Sequence, residues 1–350
     1  MIAMSHSRSG LAPLRLLRST WVLAVAGSAL LLGGCWERPP VDSEQIGFRG
    51  VAMQKVDNPR REAEKIAANV APEAPPAAPA EGPKAGDIYQ NVQVLGDLSV
   101  GQFTRLMAYI TQWVSPEQGC AYCHEGANFA SDALYTKMVA RRMLQMTSHI
   151  NNDWGDHVGG AGVNCYTCHR GMPVPANIWF ETEGPPQAQG MVGYRADQNV
   201  AAKSVGSTSL PYDPFTPYLL GDQEIRGASG TALPEGNKAS IKNTELTYAL
   251  MIHMSNSLGV NCTYCHNSRA FYSWEQSHPT RATAWYGIRM VRSLNNEYLV
   301  PLGPTYPENR LGDLGDAPKA NCTTCHQGVY KPLYGVDMIG DYPELTVASP

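Results

Sequence analysis

The sequence predicts a mainly α, loop-rich protein built from four helix–turn–C-x-x-C-H units in two pseudo-symmetric halves. Three observations predict it. The motif occurs four times, at Cys120–His124, Cys165–His169, Cys262–His266 and Cys322–His326. A stretch with helical spacing of apolar residues precedes each copy. Gly (33) and Pro (26) are abundant among 350 residues, which favours irregular connections over long regular elements.

C-x-x-C-H is the attachment signature of a c-type haem. Each thiol adds to one vinyl group, and the adjacent imidazole is placed to ligate the iron. The covalent sites are therefore Cys120 with Cys123, Cys165 with Cys168, Cys262 with Cys265, and Cys322 with Cys325. His124, His169, His266 and His326 are the proximal ligands. A single C-x-x-C would suit a redox dithiol or half a zinc site. Four copies, each followed by His, exclude both. The ninth cysteine, Cys35, stands apart, so no cysteine is left for a structural disulfide. Four apolar macrocycles supply much of the core of this multihaem cytochrome c. The net charge of −4 and the absence of a basic run give no reason to expect nucleic acid.

Taken in order, the chain opens with Arg8, Arg15 and Arg18 ahead of an apolar run from Trp21 to Leu32. The run is short for a membrane span and fits a signal-peptide core, giving a signal peptide over residues 1–34. Leu32-Gly33-Gly34-Cys35 resembles a bacterial lipoprotein cleavage box, with Cys35 as the lipid attachment point. An uncleaved helix anchor is the alternative. Stable anchoring needs more than one acyl chain. Residues 35–85, with Pro72, Pro75, Pro76, Pro79 and Pro83, read as an anchored N-terminus and a semi-extended tether.

The first dihaem half covers residues 86–180. Leu98, Phe103, Leu106, Met107 and Ile110 mark its first helix, ended by Ser115-Pro116. Its second helix runs from about Ser131 to Ile150. Residues 181–243 read as irregular connection. Residues 244–350 form the second dihaem half and a tail, with helices from Thr244 to Leu258, stopped by Gly259, and from Thr280 to Leu299. The halves repeat. Arg142-Met143 precedes Asn151-Asn152, and Arg289-Met290 precedes Asn295-Asn296. Gly162-Val-Asn-Cys165 and Gly259-Val-Asn-Cys262 read as near-identical turns.

The sixth ligand of each iron decides the chemistry. Methionine raises the potential relative to bis-histidine, and an open position permits small-molecule chemistry. Met107, Met143 and Met251 each sit on a helix upstream of a motif. Met on an apolar helix face is ordinarily core filling, but the recurrence marks these as distal ligands. Four other histidines compete: His149, His157, His253 and His278. Met251 and His253 are two residues apart, about 200° around a helix, so only one faces a given haem. Met251 shares its side with Met254 and Leu258, which leaves His253 to the surface or a propionate. His278, before Pro279, reads as solvated. For the fourth motif the repeat nominates Met290. His157, in a turn, has no repeat partner.

These features together resemble the tetrahaem cytochrome subunit of purple-bacterial photosynthetic reaction centres. The resemblance covers roughly residues 86–335 and rests on the Cys35 box, the two-plus-two motif order and the stretches Phe103–His124, Arg142–His169 and Met251–His266. It implies that Met107, Met143 and Met251 are distal ligands of the first three haems, and that His157 reaches across from the first half to the fourth. It implies four covalently bound haem c groups and a lipid-anchored subunit on the periplasmic face of the inner membrane. There it would cap the L and M subunits. It would take electrons from a soluble carrier, of cytochrome c2 or high-potential iron–sulfur type, and re-reduce the photo-oxidised bacteriochlorophyll pair. It would be an electron carrier without an open catalytic site. A multihaem reductase needs an open distal position. Another periplasmic lipid-anchored tetrahaem carrier, oxidising quinol or serving a terminal reductase, is the alternative function.

Overall fold

The structure, a computed structural model, describes residues 40–184, 200–225, 227, 229 and 231–346. The expected signal peptide, the Cys35 box and part of the connection lie outside these residues.

The chain begins with an antiparallel hairpin, β1 (Asp42–Gln45) and β2 (Gln54–Asp57), with Asp42 opposite Asp57. Helix α1 (Pro59–Ala68) follows, capped by Asn58, whose side chain accepts from Arg60 N–H, with Pro59 in its first turn. The hairpin is fastened to the third motif. Asn261 accepts from Val56 N–H at 2.9 Å and donates to the Gln54 carbonyl at 2.8 Å.

The proline-rich stretch also lies on the body rather than standing free of it as a tether. Proline lacks an N–H but keeps its carbonyl, and side chains collect these carbonyls. Arg105 donates to Pro75 and Pro76 at 3.0 and 3.1 Å, and the Ser99 hydroxyl donates to Pro79 at 2.6 Å. Residues 41–85 are therefore a strap.

Helix α2 (Val100–Val114) starts at a reciprocal cap between Ser99 and Gln102 and buries Leu106 and Trp113. Helix α3 (Tyr135–Asp153) begins four residues later than the periodicity predicts. Lys137 donates to the carbonyls of Phe129 and Ser131, which folds residues 129–134 over the first motif as a loop. The second motif forms helix α4 (Cys165–His169). Helix α5 (Ile241–Leu258) is capped by Ser240 and stops at Gly259, which has φ +62°. Helix α6 (Thr280–Ser293) passes into a wider turn over Leu294–Leu299. The fourth motif forms helix α7 (Cys322–His326).

Two apolar clusters stand among the described residues. Tyr218, Leu219, Leu250, Ile288 and Leu294 form one around α5 and α6. Leu98, Leu106 and Trp113 form the other, together with Tyr342 and Leu345 from the C-terminal end. The tail thus returns to the first half.

The repeat has a physical basis in matched hydrogen bonds. Thr136 donates to the Tyr122 carbonyl of the first motif, and Thr280 donates to the Tyr264 carbonyl of the third at 2.9 Å. Asn151 accepts from Val163 N–H at 2.8 Å and donates to the Val163 carbonyl at 3.0 Å. Asn295 accepts from Ala320 N–H at 2.8 Å and donates to the Ala320 carbonyl at 3.0 Å. Val163 and Ala320 each lie two residues before the first cysteine of a motif, so each asparagine aims the entry to a motif. Both pairs of anchors are 144 residues apart in sequence. In that register Met290 stands opposite Met146. The Arg-Met match expected from the sequence is out of step by three residues.

Candidate haem centre

The four motifs come in two kinds, and the kinds alternate. The first and third are single tight turns, at Gly119–Tyr122 and Cys262–Tyr264. The second and fourth are the short helices α4 and α7. Asn164 and Asn321 cap these through reciprocal bonds with Thr167 and Thr324, and Arg170 and Gln327 end them in the left-handed conformation. The two Gly-Val-Asn-Cys turns are therefore not equivalent. Gly162 and Gly259 both have positive φ, but Asn164 caps a helix while Asn261 grips the hairpin.

All four motif histidines are oriented alike. Each Nδ1 faces a backbone carbonyl, which fixes the tautomer that leaves Nε2 free to bind a metal. His124 pairs with Phe129 at 3.2 Å and His266 with Phe271 at 2.9 Å, each five residues on. His169 pairs with Met172 at 2.8 Å and His326 with Val329 at 3.1 Å, each three residues on. Burial keeps these imidazoles neutral. His326 is pushed down to about 4 by burial and by His157 beside it.

Exposure alternates with the same period. Cys120 and Cys262 are exposed. Burial pushes the Cys165 and Cys322 thiols up to about 12.

A cavity of about 1340 Å³ runs between the motifs, larger than the roughly 300–1,000 Å³ that holds one ordinary ligand. Both cysteines and the histidine of the first, second and fourth motifs line it, as do Met107, Met143 and His157. The third motif contributes Tyr264 and Cys265, while Met251 and His266 lie off this cavity. Met251 packs against the α5–α6 cluster. The wall carries five cations, Lys137, Arg141, Arg310, Lys319 and Lys331, against one carboxylate, Asp156. Asp132 and Asp316, which hold three of these cations, are not on the wall. In a chain of net charge −4, this is a place for apolar groups that carry carboxylates. Haem, with an apolar ring and two propionates, fits it.

His157 lies opposite His326, with ring centroids 6.0 Å apart and the ring planes 67° apart. Metal–imidazole bonds of about 2 Å on either side of one iron put two rings on the order of 6 Å apart. His157 Nδ1 faces the Thr283 carbonyl at 2.9 Å, which leaves its Nε2 free as well.

The other histidines have different tasks. His253 is buried rather than at the surface, because its helix face meets Phe215, with ring centroids 4.6 Å apart. Burial pushes it down to about 4. His149 pairs with Asp153 at 2.6 Å and stacks on Tyr298. His278 is half-buried and bonds Thr280 at 3.0 Å.

Cys168 and Cys325, one from each inner motif, stand side by side with Cα atoms 4.5 Å apart. The contact arises because α4 and α7 pack against each other.

Sequence reasoning missed the carbonyls that orient the imidazoles, and it missed Gly287. An isolated glycine inside a helical pattern is the signal that would have drawn attention to that position.

Comparison with known proteins follows the same line. The family described as "Photosynthetic reaction centre cytochrome C subunit" matches residues 37–346. The photosynthetic reaction center cytochrome c subunit of Rubrivivax gelatinosus is 55% identical over 331 residues, covering 94% of this chain and 90% of that protein. The corresponding subunit of Thermochromatium tepidum is 51% identical over 321 residues, covering 92% and 78%. Cytochrome c-554 of Chloroflexus aurantiacus is 28% identical, covering 71% and 70%.

Proposed function

This chain belongs to the photosynthetic reaction-centre cytochrome c subunits, and from that premise we propose that it is a four-haem relay into the special pair. Membership makes it an electron-transfer subunit with covalent haem c and reaction-centre proteins as partners. Bound haem supplies reversible one-electron chemistry.

The residues would hold four such groups through thioethers at the eight motif cysteines, Cys168 and Cys325 included. His124, His169, His266 and His326 are the proximal ligands. Met107, Met143, Met251 and His157 are the distal ligands, in motif order. With both axial positions filled at each site, no position is open for a substrate. Three His/Met sites and one His/His site spread the potentials along the chain.

The alternation of exposure supports a direction. The first and third motifs, with Cys120 and Cys262 exposed, are the ends, and the more enclosed second and fourth are the middle. Cys35 is seven residues ahead of the hairpin that grips the third motif, at most about 25 Å of extended chain. A lipid there puts the third motif at the membrane, beside the L and M subunits. It leaves the first motif to a soluble periplasmic donor of cytochrome c2 or iron–sulfur type. No helix among the described residues is long and apolar enough to cross a membrane.

The observation that carries this reading is the pairing of His157 with His326 across a wall built from three motifs. Flash kinetics on native membranes test it. A flash is expected to oxidise cytochrome haem as the special pair recovers. A pair that recovers with no cytochrome signal overturns it.

A further inference from the structure

We infer that Gly287 assigns His157 to the fourth motif by leaving empty the helix position that carries the distal methionine in the other half. This rests on the reading of His157 as the second axial ligand at that motif.

The register comes from the matched anchors. Thr136 and Asn151 bracket α3, and Thr280 and Asn295 bracket α6 and the turn after it, each pair 15 residues apart. In this register the counterpart of Met143 is Gly287. The distal methionine of the second motif is therefore matched by the one residue type with no side chain. The ring of His157 lies in the space that side chain would take. A Cβ on Gly287 would come within 2.5 Å of His157 Cε1, 2.8 Å of Nδ1 and 3.1 Å of Nε2. The ring cannot simply step aside, because its Nδ1 is held by the Thr283 carbonyl, one turn earlier on the same face of α6.

Helix propensity does not explain the glycine. Glycine in a helix interior costs about 0.5–1 kcal/mol relative to alanine. Gly287 has ordinary helical φ and is fully buried in α6. A Cβ there meets His157 whatever that ring binds, so melting alone does not separate a packing role from a ligand role. The ligand account adds that Gly287→Ala evicts the imidazole and changes the spin state of one haem. Met290 lies on the same helix and lines the same cavity, but it is the counterpart of Met146 and not of a ligand.

The test uses the purified four-haem protein and three variants, read by carbon monoxide binding, low-spin electron paramagnetic resonance and redox titration. His157→Ala is expected to open one haem of the four to carbon monoxide. Gly287→Ala is expected to do the same and to remove one low-spin signal, with the other three titration steps in place. Gly287→Met combined with His157→Ala is expected to close the site again, with a new long-wavelength Met–iron band and a raised potential at that haem.

If His157→Ala changes no haem, the ligand reading itself fails. If His157→Ala opens a haem and Gly287→Ala leaves all four low-spin, the inference about Gly287 is overturned and the ligand reading stands. If the double variant folds with four haems but stays open, the equivalence of positions 143 and 287 is overturned.

Discussion

Lys137 Nζ donates at 2.8 Å to the Phe129 carbonyl oxygen, the same atom that His124 Nδ1 reaches at 3.2 Å. The proximal imidazole of the first motif therefore shares its acceptor with a cation. The second half is built differently. Arg281, at the matching helix position, donates to the Ser273 carbonyl at 2.8 Å and leaves Phe271 to His266.

Lys137→Met frees the Phe129 carbonyl for His124, which makes the imidazole a more basic ligand, and it removes a positive charge. Both effects stabilise ferric iron. The first haem's potential should fall by on the order of 1 kcal/mol, or tens of millivolts for one electron. Redox titration of the purified protein checks this. Four unmoved steps would show that Lys137 only braces the loop.

On the proposed ligation, His157→Met would turn a bis-histidine site into a His/Met site. One titration step of the four should rise, on the order of 100 mV within the roughly 0.8 V that axial ligands span. Met290→Ala should leave all four steps where they are. The opposite pair of results would return the fourth site to Met290.

Asn295→Leu strips partners from the Ala320 N–H and the Leu219 carbonyl, which Asn295 bonds from a fully buried position. Each orphaned group costs about 1–3 kcal/mol, so Tm should drop by several degrees. Asn296→Leu, at an exposed neighbour with one bond to the Leu220 carbonyl, should cost far less. Equal melting shifts for the two would contradict the aiming role given to Asn295.

Asn261→Ala unfastens the N-terminal hairpin from the third motif. Hydrogen exchange at Val56 should quicken while exchange within α2 stays slow. Unchanged exchange at Val56 would mean the hairpin is held mainly by its other contacts, such as Ser268 on Val51.

What the sequence disclosed was whatever depends on neighbours in sequence. Attachment chemistry is local, so all four motifs were legible, and α2 and α5 announced themselves by apolar spacing and by Gly259. The strap was not legible, because composition reports that proline cannot build a core but says nothing about who collects its carbonyls. Arg105 does so from 30 residues away. The repeat was legible but misregistered. Arg-Met was the louder match, while the bonds that define the register belong to Thr136, Asn151 and their partners. His157 was nominated by resemblance alone, since its neighbour Gly287 lies in the other half.

The contact between Cys168 and Cys325 bears on how the protein is made. The two inner motifs meet side by side, although they lie 157 residues apart in sequence. A chain that closes its halves under oxidising conditions before attachment would seal its own middle, stranding those thiols. Loading must then come before closure, or a reductant must reopen the pair. Without thiol reduction during attachment, the proposed inner sites should go unfilled before the outer ones, which mass spectrometry of the intact chain would show. Random loss across the four sites would mean that the contact has no bearing on assembly.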